Sequence, residues 1–80
     1  MPKLKILSGE DVIRIFNSFG FSVDNQRGSH IKLKRRVGDL KQTMTIPNHK
    51  ELDRGTIKAI YNQALRYISE NDLRKEFYAE

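Results

Sequence analysis

The sequence predicts an α+β two-layer sandwich: a helix, three strands in a meander, a second helix and a short C-terminal helix. Three observations predict it. Apolar residues recur at helical spacing before Gly20 and again after Asp53. Between those segments they alternate with polar residues at period two. The breaks inside the alternating stretch, Gly28-Ser29 and Val37-Gly38-Asp39, are short, so consecutive strands pair antiparallel.

The first helix is expected over residues 9–19. Ser8 is placed to accept hydrogen bonds from the free amides of the first turn, and Glu10 and Asp11 suit its positive end. Val12, Ile13, Ile15, Phe16 and Phe19 form the apolar face, with Arg14, Asn17 and Ser18 left to solvent. Gly20 stands where a left-handed terminator belongs. A first strand then runs from Phe21 to about Gln26, with Phe21 and Val23 in one phase. A second carries His30, Lys32 and Lys34 on one face and Ile31 and Leu33 on the other. The third sets Leu40, Met44 and Ile46 against Lys41, Thr43 and Thr45, and stops at Pro47.

Asp53 is the expected N-cap of the second long helix, with Leu52 and Ile57 as a hydrophobic staple. Ile57, Ile60, Tyr61, Ala64, Leu65 and Ile68 make one apolar stripe. Ser69 to Asp72 break that pattern, and Leu73, Phe77 and Tyr78 allow a short terminal helix. Phe77 and Tyr78 either pack on the core or form a partner surface. Two amphipathic helices need an apolar face to cover, and Ile31, Leu33, Met44 and Ile46 provide it. His30, Lys32 and Lys34 therefore belong to the opposite, open face.

Composition bounds the function. Eighty residues make one domain, 1–80, whose core is thin, because a chain this short buries only about 60% of its unfolded surface. With no cysteine, disulfides and thiolate zinc sites are excluded. No apolar run approaches the roughly 20 residues of a membrane span, and the basic N-terminus lacks the apolar stretch of a signal peptide, so a cytoplasmic protein is expected. The net charge of +5 is unevenly placed. Residues 1–50 carry ten basic and four acidic side chains, whereas residues 51–80 carry five and six. Residues 27–41 hold Arg27, Lys32, Lys34, Arg35, Arg36 and Lys41 against Asp39 alone. Such a patch attracts polyanions and contacts phosphates, although edge lysines also discourage aggregation.

The segment Arg27-Gly28-Ser29-His30 joins a histidine to that patch. An unperturbed imidazole titrates near about 6.5 and so exchanges protons close to neutrality. RNA carries its own nucleophile, the 2′-hydroxyl, so one base and a few cations suffice to cleave it. His30 is the candidate base. Arg27, Lys32, Lys34, Arg35 and Lys41 are the candidate phosphate contacts, and Gly28 and Ser29 offer close backbone approach with exposed amides and a hydroxyl. Gly28 serves equally well as a simple turn residue. His49, in Ile46-Pro47-Asn48-His49, is either a second acid or base, an RNA contact, or structural. His49, Glu51 and Asp53 lack a second histidine at ligand spacing, which argues against a metal site. No phosphate-binding loop, dinucleotide fingerprint or nucleophile elbow is present, and no cofactor is called for.

These motifs together resemble the HicA (YcfA-like) family, the mRNA interferases of bacterial HicA/HicB toxin–antitoxin systems. The resemblance is carried by Leu7-Ser8-Gly9, Gly20-Phe21, Gln26-Arg27-Gly28-Ser29-His30, Ile46-Pro47-Asn48-His49 and Glu51 to Thr56. The segments Arg66-Tyr67-Ile68 through Phe77-Tyr78 resemble a subfamily with a longer C-terminus. The resemblance implies a fold like a double-stranded-RNA-binding domain. It also implies metal-independent endoribonuclease activity on mRNA with His30 catalytic, and a cognate HicB-type antitoxin that blocks the site. A non-catalytic RNA-binding module is the alternative that the fold and charge suit equally well. His30 favours cleavage, because binding alone needs no titrating group.

Overall fold

A computed structural model describes residues 2–79. Its elements run β1 (Lys3–Leu4), α1 (Gly9–Ser18), β2 (Ser22–Arg27), β3 (His30–Val37), β4 (Leu40–Pro47), α2 (Arg54–Ala64), α3 (Glu70–Phe77) and β5 (Tyr78–Ala79). β2, β3 and β4 form an antiparallel meander with β3 central, and β1 pairs with β5 in a separate two-stranded ribbon. The α-β-β-β-α order and the meander are compatible with the double-stranded-RNA-binding-domain type expected above.

Local chemistry explains where the helices start and stop. The Ser8 hydroxyl accepts the Asp11 amide at 3.0 Å while the Asp11 carboxylate accepts the Ser8 amide at 2.9 Å, a complete capping box. At the other end Gly20 has φ +92°, and the Phe21 and Gly20 amides donate back to the Phe16 and Asn17 carbonyls. That is a Schellman termination, which a Cβ at Gly20 would strain. Asp53 caps α2 by accepting the Thr56 amide at 2.7 Å, and Leu52 and Ile57 are both buried beside it. The polar break at residues 69–72 is itself a helix start, because the Ser69 side chain accepts the Asp72 amide.

Both long helices cover one face of the sheet. Ile31, Leu33, Met44 and Ile46 lie in one buried cluster with Val12, Phe16, Ile57, Ile60 and Ala64. The tail joins them: Phe77 is fully buried, 6.0 Å from Phe16 and 5.4 Å from Tyr61 between ring centroids. Of the two roles open for the tail aromatics, core packing is the one Phe77 fills. Two members of the expected apolar phases depart from the core. Val23 is 54% exposed although its register partner Leu33 is buried, and Leu40, 67% exposed, pairs with Val37, which is exposed as well. β2 is an edge strand and Leu40 sits at a hairpin end, both beyond the cover of the helices.

Candidate nucleic-acid interface and active site

β3 supplies the site, and its parity decides which residues face out. Ile31 and Leu33 are buried under the helices, so His30, Lys32, Lys34 and Arg36 project from the opposite face. Successive members are roughly 7 Å apart along the strand. Register adds neighbours on either side. His30 lies between Arg27 and Pro47, Lys32 between Asn25 and Thr45, Lys34 between Ser22 and Thr43, and Arg36 opposite Lys41. The open face is therefore a row of cations with an exposed imidazole at one end.

The turn preceding His30 is built from two residues, Gly28 and Ser29, between the paired Arg27 and His30. Gly28 has φ +57°, no non-glycine residue has positive φ among the described residues, and Gly leads the turn as a II′-type hairpin requires. The Gln26 side-chain amide donates to the Gly28 carbonyl at 2.9 Å and braces it. A Cβ placed on Gly28 would meet nothing within 4 Å, so conformation rather than crowding demands the glycine. The open space also leaves the turn accessible to a ligand.

A second loop is fixed against this turn. The Asn48 amide donates to the Ser29 carbonyl at 2.6 Å, and the Gly9 amide donates to the His49 carbonyl at 2.8 Å. Gly9 is buried so tightly that a Cβ would overlap Pro47 O and come within 2.8 Å of Asn48 Cα. Contact, not helix capping alone, explains the glycine after Ser8. His49 thus contributes its main chain to structure while its side chain stays exposed, near enough to Asp53 to help lower that carboxyl below its usual range, the larger cause being the Thr56 amide. His49, Glu51 and Asp53 do not gather as a metal-binding group; among the described residues no three His, Asp or Glu side chains do.

Two expected contacts stand differently in the structure. Arg35 shares the parity of Ile31 and Leu33 and turns toward the helices. Its guanidinium donates to Phe19 O at 2.9 Å, Tyr67 O at 2.9 Å and Gln42 Oε1 at 2.8 Å, and lies 4.9 Å from the Phe21 ring centroid. It ties the C-terminal end of α1 to the turn after α2, because both ends expose unpaired carbonyls. Arg36, one residue on, takes the outward place, which the alternation from His30 already marks. Lys34 does face outward, but a bulge between Val23 and Asn25 brings Asp24 within 3.2 Å of its ammonium. Hydrogen bonding to Lys34 is the largest cause holding the Asp24 carboxyl below its usual range. Arg27, Lys32 and Lys41 have no carboxylate partner within ion-pair distance among the described residues.

Among the described residues no helix is long and apolar enough to cross a membrane. A family model described as the HicA toxin of bacterial toxin–antitoxin matches residues 9–65, from the first residue of α1 to the C-cap of α2. No curated protein and no solved structure matches the chain significantly.

Proposed function

The chain belongs to the HicA toxin family of bacterial toxin–antitoxin systems, and from that premise we propose that it is an mRNA-cleaving endoribonuclease with His30 as the catalytic base. The observation that carries this reading is the exposed His30 at the head of the outward cation row, beside an open glycine turn. Phosphates of a single RNA strand lie along Lys32, Lys34, Arg36 and Lys41, with Arg27 flanking the reacting centre. The His30 imidazole takes the proton from a ribose 2′-hydroxyl, and the freed oxygen attacks the adjacent phosphorus. The P–O5′ bond breaks, and the departing oxygen is protonated from the imidazolium or from water. The products are a 2′,3′-cyclic phosphate and a 5′-hydroxyl. Cations near the phosphate stabilise charge that grows in the transition state, and general acid–base catalysis contributes about 10²–10⁴-fold.

The partner expected of such a toxin, a HicB-type antitoxin, has reason to cover the same face. Acidic or hydrogen-bonding groups over the cation row would speed association and exclude RNA together.

The test is His30→Ala beside the native chain, in induced expression and in cleavage of a defined RNA. His30 is exposed, so the variant folds and binds RNA but loses cutting by at least about 10²-fold. A 2′-deoxy nucleotide at the cut blocks cleavage. Full activity in His30→Ala, or cutting of the 2′-deoxy substrate, refutes the mechanism. RNA binding by a native chain that never cuts would identify a binding module instead.

A further inference from the structure

Around the end of the sheet from His30, Ser8, Glu10, Asn48, His49 and Lys50 line a cavity of about 420 Å³. That falls within the roughly 300–1,000 Å³ of small-ligand sites. Two features set it apart from an ordinary surface dip. Its backbone is fixed: Asn48 N is bonded to Ser29 O, His49 O to Gly9 N, and Gly9 packs where no Cβ fits. Its outer side chains are uncommitted. Among the described residues Glu10, Asn48, His49 and Lys50 are exposed and make no side-chain hydrogen bond or ion pair. The fixed backbone holds these unspent polar groups around one cavity, where they are free to meet a ligand.

We propose that this cavity reads the nucleobase next to the cleaved phosphate, selecting a base with an exocyclic amino group; the proposal rests on the RNA-cleaving reading above. The Ser29–Asn48 hydrogen bond joins the His30 turn to the cavity wall, and a strand that passes round this end of the sheet from a phosphate at His30 brings its neighbouring nucleotide to the cavity. Glu10 decides the kind of group bound. A carboxylate accepts hydrogen bonds and repels phosphate, so it suits a base edge that presents an amino donor, as adenine, cytosine and guanine do. Asn48 both donates and accepts and completes the base edge. The His49 ring provides a stacking surface, worth roughly what base–aromatic stacking gives elsewhere, and Lys50 meets the following phosphate. Uracil is the disfavoured base at this position, because its one base-edge donor, N3–H, sits between two carbonyl oxygens that repel the carboxylate.

The test compares the native chain with Glu10→Gln on an RNA library randomised at the nucleotides flanking the cut. Glutamine can donate to a carbonyl, so discrimination against uridine falls by about tenfold while cutting elsewhere persists, a change on the scale of one base-edge hydrogen bond. His49→Ala weakens cutting of every flanking base without restoring uridine. Unchanged base preference in Glu10→Gln, in a variant that still cuts, overturns the pocket. If the native chain cuts no RNA, the nuclease reading fails and binding decides the pocket. Oligonucleotides with 2′-fluoro sugars, measured by fluorescence anisotropy, then discriminate against uridine in the native chain and not in Glu10→Gln. Equal affinities for all four bases overturn it.

Discussion

Replacing Arg35 with Ala removes a residue that composition groups with the RNA-facing cations and the fold assigns to stability. The guanidinium makes three hydrogen bonds, of 2.8 to 2.9 Å, and packs against the Phe21 ring. Hydrogen bonds to charged groups are worth about 1.5–3 kcal/mol each, and a cation over an aromatic face adds about 0.5–1 kcal/mol. Arg35 is half-buried, so water enters on truncation and recovers part of the bonding at Phe19 O, Tyr67 O and Gln42. Taking the low end for the two main-chain acceptors, and nothing for Gln42, gives about 3 kcal/mol. For a domain of this size the total stability is about 4–12 kcal/mol, and each kcal/mol moves the midpoint by about 4–8 °C. Thermal unfolding followed by circular dichroism should therefore show Tm lower by about 12–24 °C. Arg35→Lys restores the charge but not the fork that reaches both helix ends, and recovers less than half of the stability. RNA binding, measured where the variants remain folded, keeps its native salt dependence. A native Tm together with a salt slope reduced by roughly 0.7 would place Arg35 on the RNA and refute the assignment.

Lys32→Ala with Lys34→Ala lowers the salt slope of RNA binding by roughly 0.7 for each phosphate no longer neutralised, with Tm nearly unchanged, and an unchanged slope removes both from the interface. Gly9→Ala forces Pro47–His49 off the start of α1 and costs about 1–3 kcal/mol in chemical denaturation, as overpacking does; native stability would show that the close approach is absent. The cap carboxylates give an acid limb. Asp11 is held below its ordinary value first by the Ser8 amide, and Asp53 first by the Thr56 amide, so their contribution is complete above about pH 4 and disappears as pH falls through the lowered folded values. Asp53→Asn keeps a capping oxygen but no titration, so its stability falls less steeply with acid than that of the native chain; identical acid limbs would exclude the cap as a source.

Local signals carry most of this fold in the sequence. Caps, terminators and hairpin turns depend on a few adjacent residues: Ser8 with Asp11, Gly20, Gly28-Ser29, Asp53 with Thr56. Each acts through φ or a nearby amide, so each is legible without knowing what lies across the molecule. Parity is equally local. Alternation about Ile31 and Leu33 places His30 on the open face, and the same count puts Arg35 inside and Arg36 outside, a signal that charge grouping alone obscures. Tertiary structure decided whatever depends on residues brought together from far apart. The pairing of Lys3–Leu4 with Tyr78–Ala79 joins strands of two residues each, too short to carry a periodic pattern. Val23 continues an apolar phase, but its exposure depends on how far the helices extend over the sheet. The Asp24–Lys34 ion pair exists because a bulge shifts the register of β2 by one residue. The wall shared by the His30 turn and the His49 loop rests on Ser29–Asn48 and Gly9–His49 bonds, and long-range bonds of that kind are set only when helix and sheet have packed.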